Sequence, residues 1–416
     1  MRLFRLEIKR VLKSKMTWIL LAAAMALSVV LAYLPATFPS GSYTDENGKK
    51  VEMTRLDKIR RTRQNNGGLQ GEVTPQKIRE AVEVYQFNLN KYGVNSIYDL
   101  PEEVYYDEIS VYAPLVHGIQ EAFADPDTGM PGEIQKIDPE EVEVFYEKCR
   151  ERLSSLVKME QRNYPSAQKK AEEMYSKVTF PFTYYYGISD ECMDYQTILI
   201  FFITIFCAVI AAPVFSSDYQ TGADDILRCT RHGRVRLGIV KVLSALLICT
   251  VSFSLCLTVW ILITNSLFGW ESTKTSMQMI YSVSSLLNFN MGQLEWFNMS
   301  ASLLSFLAAV SFALFLSSRM KGTVPSLAMA LMFCVLPLIV YMGIPGAAGD
   351  WIRCILPGGG IGLQNSLLYG MIDLEFLHLG NHSFWNVCVM IAAAVVEIPL
   401  FCAGAVISYC RHRGSV

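Results

Sequence analysis

Apolar positions along this 416-residue chain gather into six runs, and one long polar stretch interrupts them. The first run covers 16–34; about 160 polar residues follow, and five more runs fill the remainder. A stretch of about 20 apolar residues is long enough to cross a bilayer as a helix. The pattern predicts spans at 16–34, 196–217, 238–264, 299–318, 323–343 and 385–409. It describes an all-α polytopic membrane protein with a large, mainly helical, water-facing domain over 35–195, between spans 1 and 2. Such a layout limits function to transport, to signalling across a membrane, or to chemistry within one. The first run exceeds the roughly 7–15 apolar residues of a signal peptide, and no small-x-small cleavage site follows it, so it reads as a retained span.

Periodicity inside the polar stretches sharpens this outline. Over 1–15, Phe4, Ile8, Val11 and Leu12 share one helical face and Arg5, Lys9, Arg10 and Lys13 lie mostly opposite. That is the pattern of an interfacial amphipathic helix, and it doubles as a basic segment that orients span 1. In the insert, Thr74-Pro75 opens a helix to Tyr92 with Ile78, Ala81, Val82, Tyr85 and Leu89 near a 3.6 period. Pro101 with Glu102 and Glu103 starts another segment. Asp138-Pro139-Glu140-Glu141 supplies an N-cap, a proline at the first helical position and first-turn acids. That helix should run to about Tyr164, stop at Pro165, and restart over 166–178. Loops are expected at 41–50, 65–71 and 125–132. The aromatic stretch 180–186 reads as an interfacial belt. The later segments 269–297 and 346–385 are unusually apolar for loops, and short re-entrant or interfacial helices would suit both.

Charge gives the arrangement a direction. Pieces 1–15, 218–241, 317–323 and the tail from Arg411 hold 15 Lys/Arg against 4 Asp/Glu, whereas 35–195 holds 19 against 28. Short basic loops mark the cytoplasmic side. The clusters at the N-terminus, at Arg228, Arg231, Arg234 and Arg236, at Arg319 and Lys321, and at Arg411, His412 and Arg413 all fall on one face after six crossings. Both termini are therefore expected in the cytoplasm, with 410–416 as a tail and 35–195 outside a cell membrane. With 52% hydrophobic residues and mean hydropathy +0.29, the chain is rich enough in apolar side chains for this reading. Of eleven cysteines, six lie within spans, and the odd, scattered set does not form a disulfide framework; a Cys149–Cys192 bridge is left open.

Candidate chemistry is sparse. No G-x-x-x-x-G-K-[ST] occurs, and 358–362 (Gly-Gly-Gly-Ile-Gly) lacks the lysine of a phosphate loop. H-E-x-x-H and G-x-S-x-G are also missing, so the chain is not expected to be an enzyme and any nucleotide would be hydrolysed by a partner. His378 and His382, spaced i,i+4 near Glu375, form a short ligand set for a metal, and two surface histidines explain them better; no metal and no nucleic-acid partner is expected. The sequons at Asn298 and Asn381 are short, common patterns. Glu397 sits near mid-span before Pro399. A charge there costs at least about 2.5 kcal/mol and usually faces a bundle interior or a water-filled cavity, so it either lines a transport path or bonds a neighbouring helix.

The stretch 218–241 is more specific. Asp218 ends a span, Gly222 follows four residues later, Ile226 and Leu227 form an apolar turn, and a basic segment with Arg234 leads to Lys241. This order resembles the coupling segment in the membrane permeases of type-2 ABC exporters, which rests in a cleft of the ATPase subunit. Asp218 stands where that family usually carries Glu, and Cys229 to Gly233 replaces its frequent proline turn. The N-terminal amphipathic helix, six spans and an apolar last outer loop also resemble that family, whose best-known members lack an insert like 35–195. The resemblance implies an exporter permease for an amphipathic or hydrophobic substrate such as a peptide, lipid or drug. It implies ATPase coupling through Asp218, Gly222, Ile226, Leu227, Arg234 and Lys241 in a coupling loop over 218–237. It also implies a cytoplasmic ABC ATPase holding ATP and Mg, and a second permease copy or related permease, in contact with membrane lipid. The rival readings are an extracytoplasmic ligand sensor or membrane scaffold, and an intramembrane enzyme. A sensor would need a cytoplasmic output domain of about 50 residues or more, longer than any loop here, and an enzyme would need more ionisable groups in the spans.

Overall fold

A computed structural model of the protein describes residues 2–44, 50–65, 67–94, 96–230 and 233–412. Of the basic residues noted above, Arg231 and Arg413 lie outside the described residues. The chain is 73% helical, and among the described residues six helices are long and apolar enough to cross a membrane, one at each of the six predicted runs. It is an all-α polytopic membrane protein.

The N-terminal helix α1 (Arg2–Leu12) turns directly into the first span, α2 (Lys15–Tyr33). The insert then opens with a hairpin, β1 (Pro39–Thr44) against β2 (Lys50–Thr54), where a loop was expected over 41–50. The helices α3 (Arg55–Asn65), α4 (Pro75–Tyr92), α5 (Glu102–Val104), α6 (Ala113–Ala122), α7 (Phe145–Glu160) and α8 (Pro165–Tyr175) follow. Between α3 and α4, the expected loop at 65–71 includes a 3₁₀ turn, Gly67–Leu69, and the start of a two-residue strand, β3 (Gly71–Glu72), that pairs with β4 (Thr183–Tyr184). β3 and β4 are set by pairing across the chain, which local alternation of side chains does not encode.

α4 has the predicted limits. Thr74 Oγ1 accepts from Lys77 N, and Gly93 closes the helix at φ +64°, the left-handed conformation glycine tolerates. The helix expected from Asp138 begins later. Asp138 does accept from Glu140 N at 2.9 Å, but its first turn is 3₁₀ (Glu141–Val144) and α7 ends at Glu160, four residues short of Tyr164. Tyr164 is extended (φ −129°, ψ 76°) because the proline that follows disfavours a helical residue before it.

Among the remaining spans, three helices begin several residues before their apolar runs. α9 (Asp190–Ala211) starts with Asp190 and Glu191 at its positive end and passes into α10 (Pro213–Thr221) and the short α11 (Ala223–Arg228). α12 (Val235–Phe268) has 34 residues. At 1.5 Å per residue that is roughly 50 Å, against about 30 Å of hydrocarbon, so its ends project beyond the apolar layer. α13 (Met291–Arg319) begins eight residues before the predicted span. Asn290 Oδ1 accepts from Gln293 N at 2.8 Å and Gln293 Oε1 from Asn290 N at 3.0 Å, a reciprocal cap that fixes the start. α14 (Thr323–Gly343), α15 (Ala347–Ile355), α16 (Leu367–Ile372), the hairpin β5 (Phe376–Leu379) and β6 (His382–Trp385), and α17 (Asn386–Arg411) complete the chain.

Two apolar cores result. One lies among the spans and is built around Leu199, Phe253, Trp260, Phe306 and Tyr409. The other joins the insert to both apolar loops: Ile78, Tyr85, Ile119 and Phe145 share it with Met277, Val283, Leu286, Leu368, Met371 and Leu377. The loops are apolar because they complete the insert's interior. Their polar contacts fit the same role. Tyr175 donates to the Val283 carbonyl at 2.8 Å, the Glu121 carboxylate accepts from Val283 N at 2.9 Å, and Lys170 Nζ donates to the Ser383 carbonyl at 2.6 Å. The segment 269–290 supplies only 3₁₀ turns, Trp270–Lys274 and Met277–Met279, rather than a re-entrant helix. α15 retains outward Ile352 and Ile355.

Candidate functional site

The six residues singled out by sequence divide into three groups at the end of the bundle opposite the insert. Asp218 and Lys241 are interior, and Lys241 is only 1% exposed. Lys241 Nζ lies 2.5 Å from Asp218 Oδ2, and Arg10 Nη1 lies 2.7 Å from Asp218 Oδ1. Glu7 completes the set: its Oε2 is 2.9 Å from Arg10 Nε, out of line for a hydrogen bond, and 3.7 Å from Lys241 Nζ. Two carboxylates thus face two cations across α1, α10 and α12. Arg10 also donates to the Val214 carbonyl at 2.9 Å. Buried charges persist in such surroundings only when paired, so this cluster locks the amphipathic helix to the start of the loop. α1 therefore does more than lie on a membrane surface.

Gly222 forms the hinge. Its φ of +69° ends α10 and begins α11, a conformation that costs other L-residues about 1–2 kcal/mol. α11 then presents Ile226 outward at 75% exposure, while Leu227 is half-buried against the span core. Arg228 holds the short helix in place. Its guanidinium donates to the Tyr409 and His412 carbonyls, stacks over the Tyr409 ring at 4.9 Å and faces Asp224 Oδ2 at 3.6 Å. Tyr409 in turn donates to the Gly233 carbonyl at 3.0 Å. Arg234 caps α12 and is exposed, as are Asp225, Cys229 and Thr230 nearby. The result is a rigid protrusion with an apolar tip and a basic flank.

Sequence reasoning missed Glu7 and Arg10 as partners of Asp218 and Lys241, and Arg228 as the anchor of α11. A signal existed for the first: Glu7 lies at i+3 from Phe4 and i−4 from Val11, on the apolar face of α1, where a charge needs a buried partner.

Within the spans, Glu397 on α17 is buried, and its Oε2 has no hydrogen-bond partner among the described residues. A second buried carboxylate was hidden in the apolar loop segment 269–297. Glu295, fully buried on α13, accepts from Asn265 Nδ2 of α12 at 2.8 Å. Beside it Asn298 Nδ2 donates to Gln196 Oε1 of α9 at 2.7 Å, so the Asn298 sequon is occupied by packing. Together these residues thread a polar seam through α9, α12 and α13.

Other sequence candidates resolve differently. His378 and His382 lie on the two strands of a hairpin rather than on one helix, His378 stacks on Tyr164, and no group of three metal-ligating side chains converges among the described residues. All eleven cysteines are free, with Cys149 and Cys192 both buried and unbridged.

None of the curated proteins matches the chain. The family model described as ABC-2 family transporter protein matches residues 1–352, which carry α1, five of the six spans, the insert and the whole ion cluster. The chain belongs to the ABC-2 family of transporter proteins.

Proposed function

We propose that this permease exports an amphipathic or hydrophobic substrate, a peptide, lipid or drug, and that a separate cytoplasmic ABC ATPase drives it by docking on α10–α11. The observation that carries the reading is Ile226, a large apolar side chain held out at 75% exposure on a six-residue helix whose other contacts are fixed. An apolar tip flanked by exposed Arg234 suits a cleft in a protein partner. Ion pairing of Asp218 and Lys241 to Glu7 and Arg10 supports a transmission role for them: a push on α11 passes through a buried, charge-locked junction into α1 and α12. ATP and Mg belong to the ATPase, and a second permease copy or a related one would complete the translocation unit within the lipid. The basic loops support cytoplasmic termini and an extracytoplasmic insert. Glu397 and the Glu295 seam are the ionisable groups best placed to line a path, since buried intramembrane charges usually serve one.

Reversing the flank and the tip tests the docking surface. Purified in mild detergent, the wild-type protein should carry a stoichiometric P-loop ATPase, and Arg234→Glu with Ile226→Glu should lose it while the permease itself stays folded. Retention of the ATPase by that variant would remove 218–241 as the docking segment.

A further inference from the structure

On the insert side, the end of α7 meets α15 and the turn before β5 around a cavity of about 360 Å³. Glu160, Asp350, Asp373 and Glu375 line it with one cation, Arg353. Arg353 is 2% exposed and is ion-paired on two sides, Nε to Asp350 Oδ1 at 3.2 Å and Nη2 to Glu375 Oε2 at 2.6 Å. Glu160 and Asp373 are exposed at the mouth.

The deciding residue is Gln161, 8% exposed and lining the same cavity. Its amide nitrogen donates to the Leu374 carbonyl at 3.1 Å. A carbonyl accepts only from the NH₂ end, so the other end is fixed as oxygen. That oxygen, Oε1, is buried and has no partner among the described residues. A buried unsatisfied acceptor costs about 1–3 kcal/mol, and Gln161 lines the cavity together with the four carboxylates. Against one guanidinium, already paired to Asp350 and Glu375, the cavity sets four carboxylates and the Gln161 side-chain oxygen. A ligand must therefore bring N–H donors and positive charge. A bare metal ion does not suit the spacing, because no three carboxylates converge to hold one among the described residues. The volume suits a larger cation.

We propose that this cavity binds an organic cation through a primary ammonium or guanidinium head, supplied by a free amine or by a Lys or Arg side chain of a peptide. Gln161 Oε1 and the inner carboxylates take the N–H groups, and Glu160 and Asp373 close over the charge. Burial and the Glu375 charge raise the Asp373 pKa to about 6, and burial and the Asp373 charge raise that of Glu160, as expected of anions awaiting a counter-charge. Arg152 offsets part of the effect at Glu160. The inference goes beyond the transport reading, since the ATPase plays no part in it.

The test is calorimetry on the full-length protein in nanodiscs at pH 7.5, with agmatine, a tetra-arginine peptide and Ca²⁺ as separate probes. Agmatine should bind saturably, and Glu160→Gln with Asp373→Asn, both at the exposed mouth, should weaken it at least tenfold. The control Glu140→Gln with Glu172→Gln, two exposed acids elsewhere in the insert, should leave it unchanged. A tetra-arginine affinity far above that of agmatine assigns the peptide source, and equal affinities assign the free head group. Binding of neither cation, equal losses in both double variants, or tight Ca²⁺ binding without agmatine binding would each overturn the proposal.

Discussion

Lys241 illustrates how a buried side chain can join two elements through ion pairs. It is sealed from solvent yet charged, and its contacts to Asp218 and Glu7 supply the compensation that burial demands. Removing one member of such a set strands the others, a loss of about 3–5 kcal/mol, whereas removing an opposed pair together is much milder. Lys241→Met should therefore lower the thermal midpoint sharply, and Asp218→Asn combined with Lys241→Met should recover part of the loss; simply additive midpoints would show that the two do not interact. The family's usual Glu would lengthen the side chain at Asp218, where Oδ1 and Oδ2 already sit 2.7 and 2.5 Å from their cations. Asp373 shows the opposite situation at the cavity mouth. Its folded pKa, about 6, is raised above the unfolded value. Its contribution to stability is thus fully present below the unfolded value and lost as pH rises through 6. Asp373→Asn should stabilise the protein relative to wild type at pH 7.5 and lose that advantage by pH 4, read as the difference in melting temperature. A constant difference across that range would mean the carboxyl titrates as in solvent.

At the scale of elements, apolar periodicity located the spans, and α4 with its limits, but not the starts of α9, α12 and α13. The bilayer-sized part of a helix is a local property of composition, so α2, α14 and α17 match their runs closely. α9, α12 and α13 begin before their runs, and in α13 the Asn290–Gln293 exchange fixes the start. The strands were not legible because β1–β2, β3–β4 and β5–β6 are short pairs whose side chains carry no clean alternation. The placement of α11 was legible in outline: Gly222 as the bend and Ile226 with Leu227 as the apolar turn. Its rigidity was not, because the anchors are the Tyr409 and His412 carbonyls, about 180 residues away in sequence.

For the whole molecule, the insert and the later loops share one apolar core, in which Ile119 and Phe145 cluster with Val283 and Leu286. The native cysteines offer a check on sidedness. Cys229 is exposed on the loop beside Arg228, and Cys388 is exposed at the insert-side end of α17. An impermeant maleimide should label Cys229 in inside-out vesicles and not in intact cells; the reverse result would invert the topology.

The sequence by itself determined the number and place of the spans, the acidic insert, the clustering of basic loops and the order of chemical types over 218–241. Those are local matters of hydropathy, charge and spacing. The tertiary structure alone decided which charges meet. It turned Glu7, Arg10, Asp218 and Lys241 into one cluster, joined Glu295 to Asn265, and set Gln161 among carboxylates from α15 and the turn before β5. Each of these groupings joins different elements of the fold. A buried charge signals that a partner is needed, but only packing says which partner arrives.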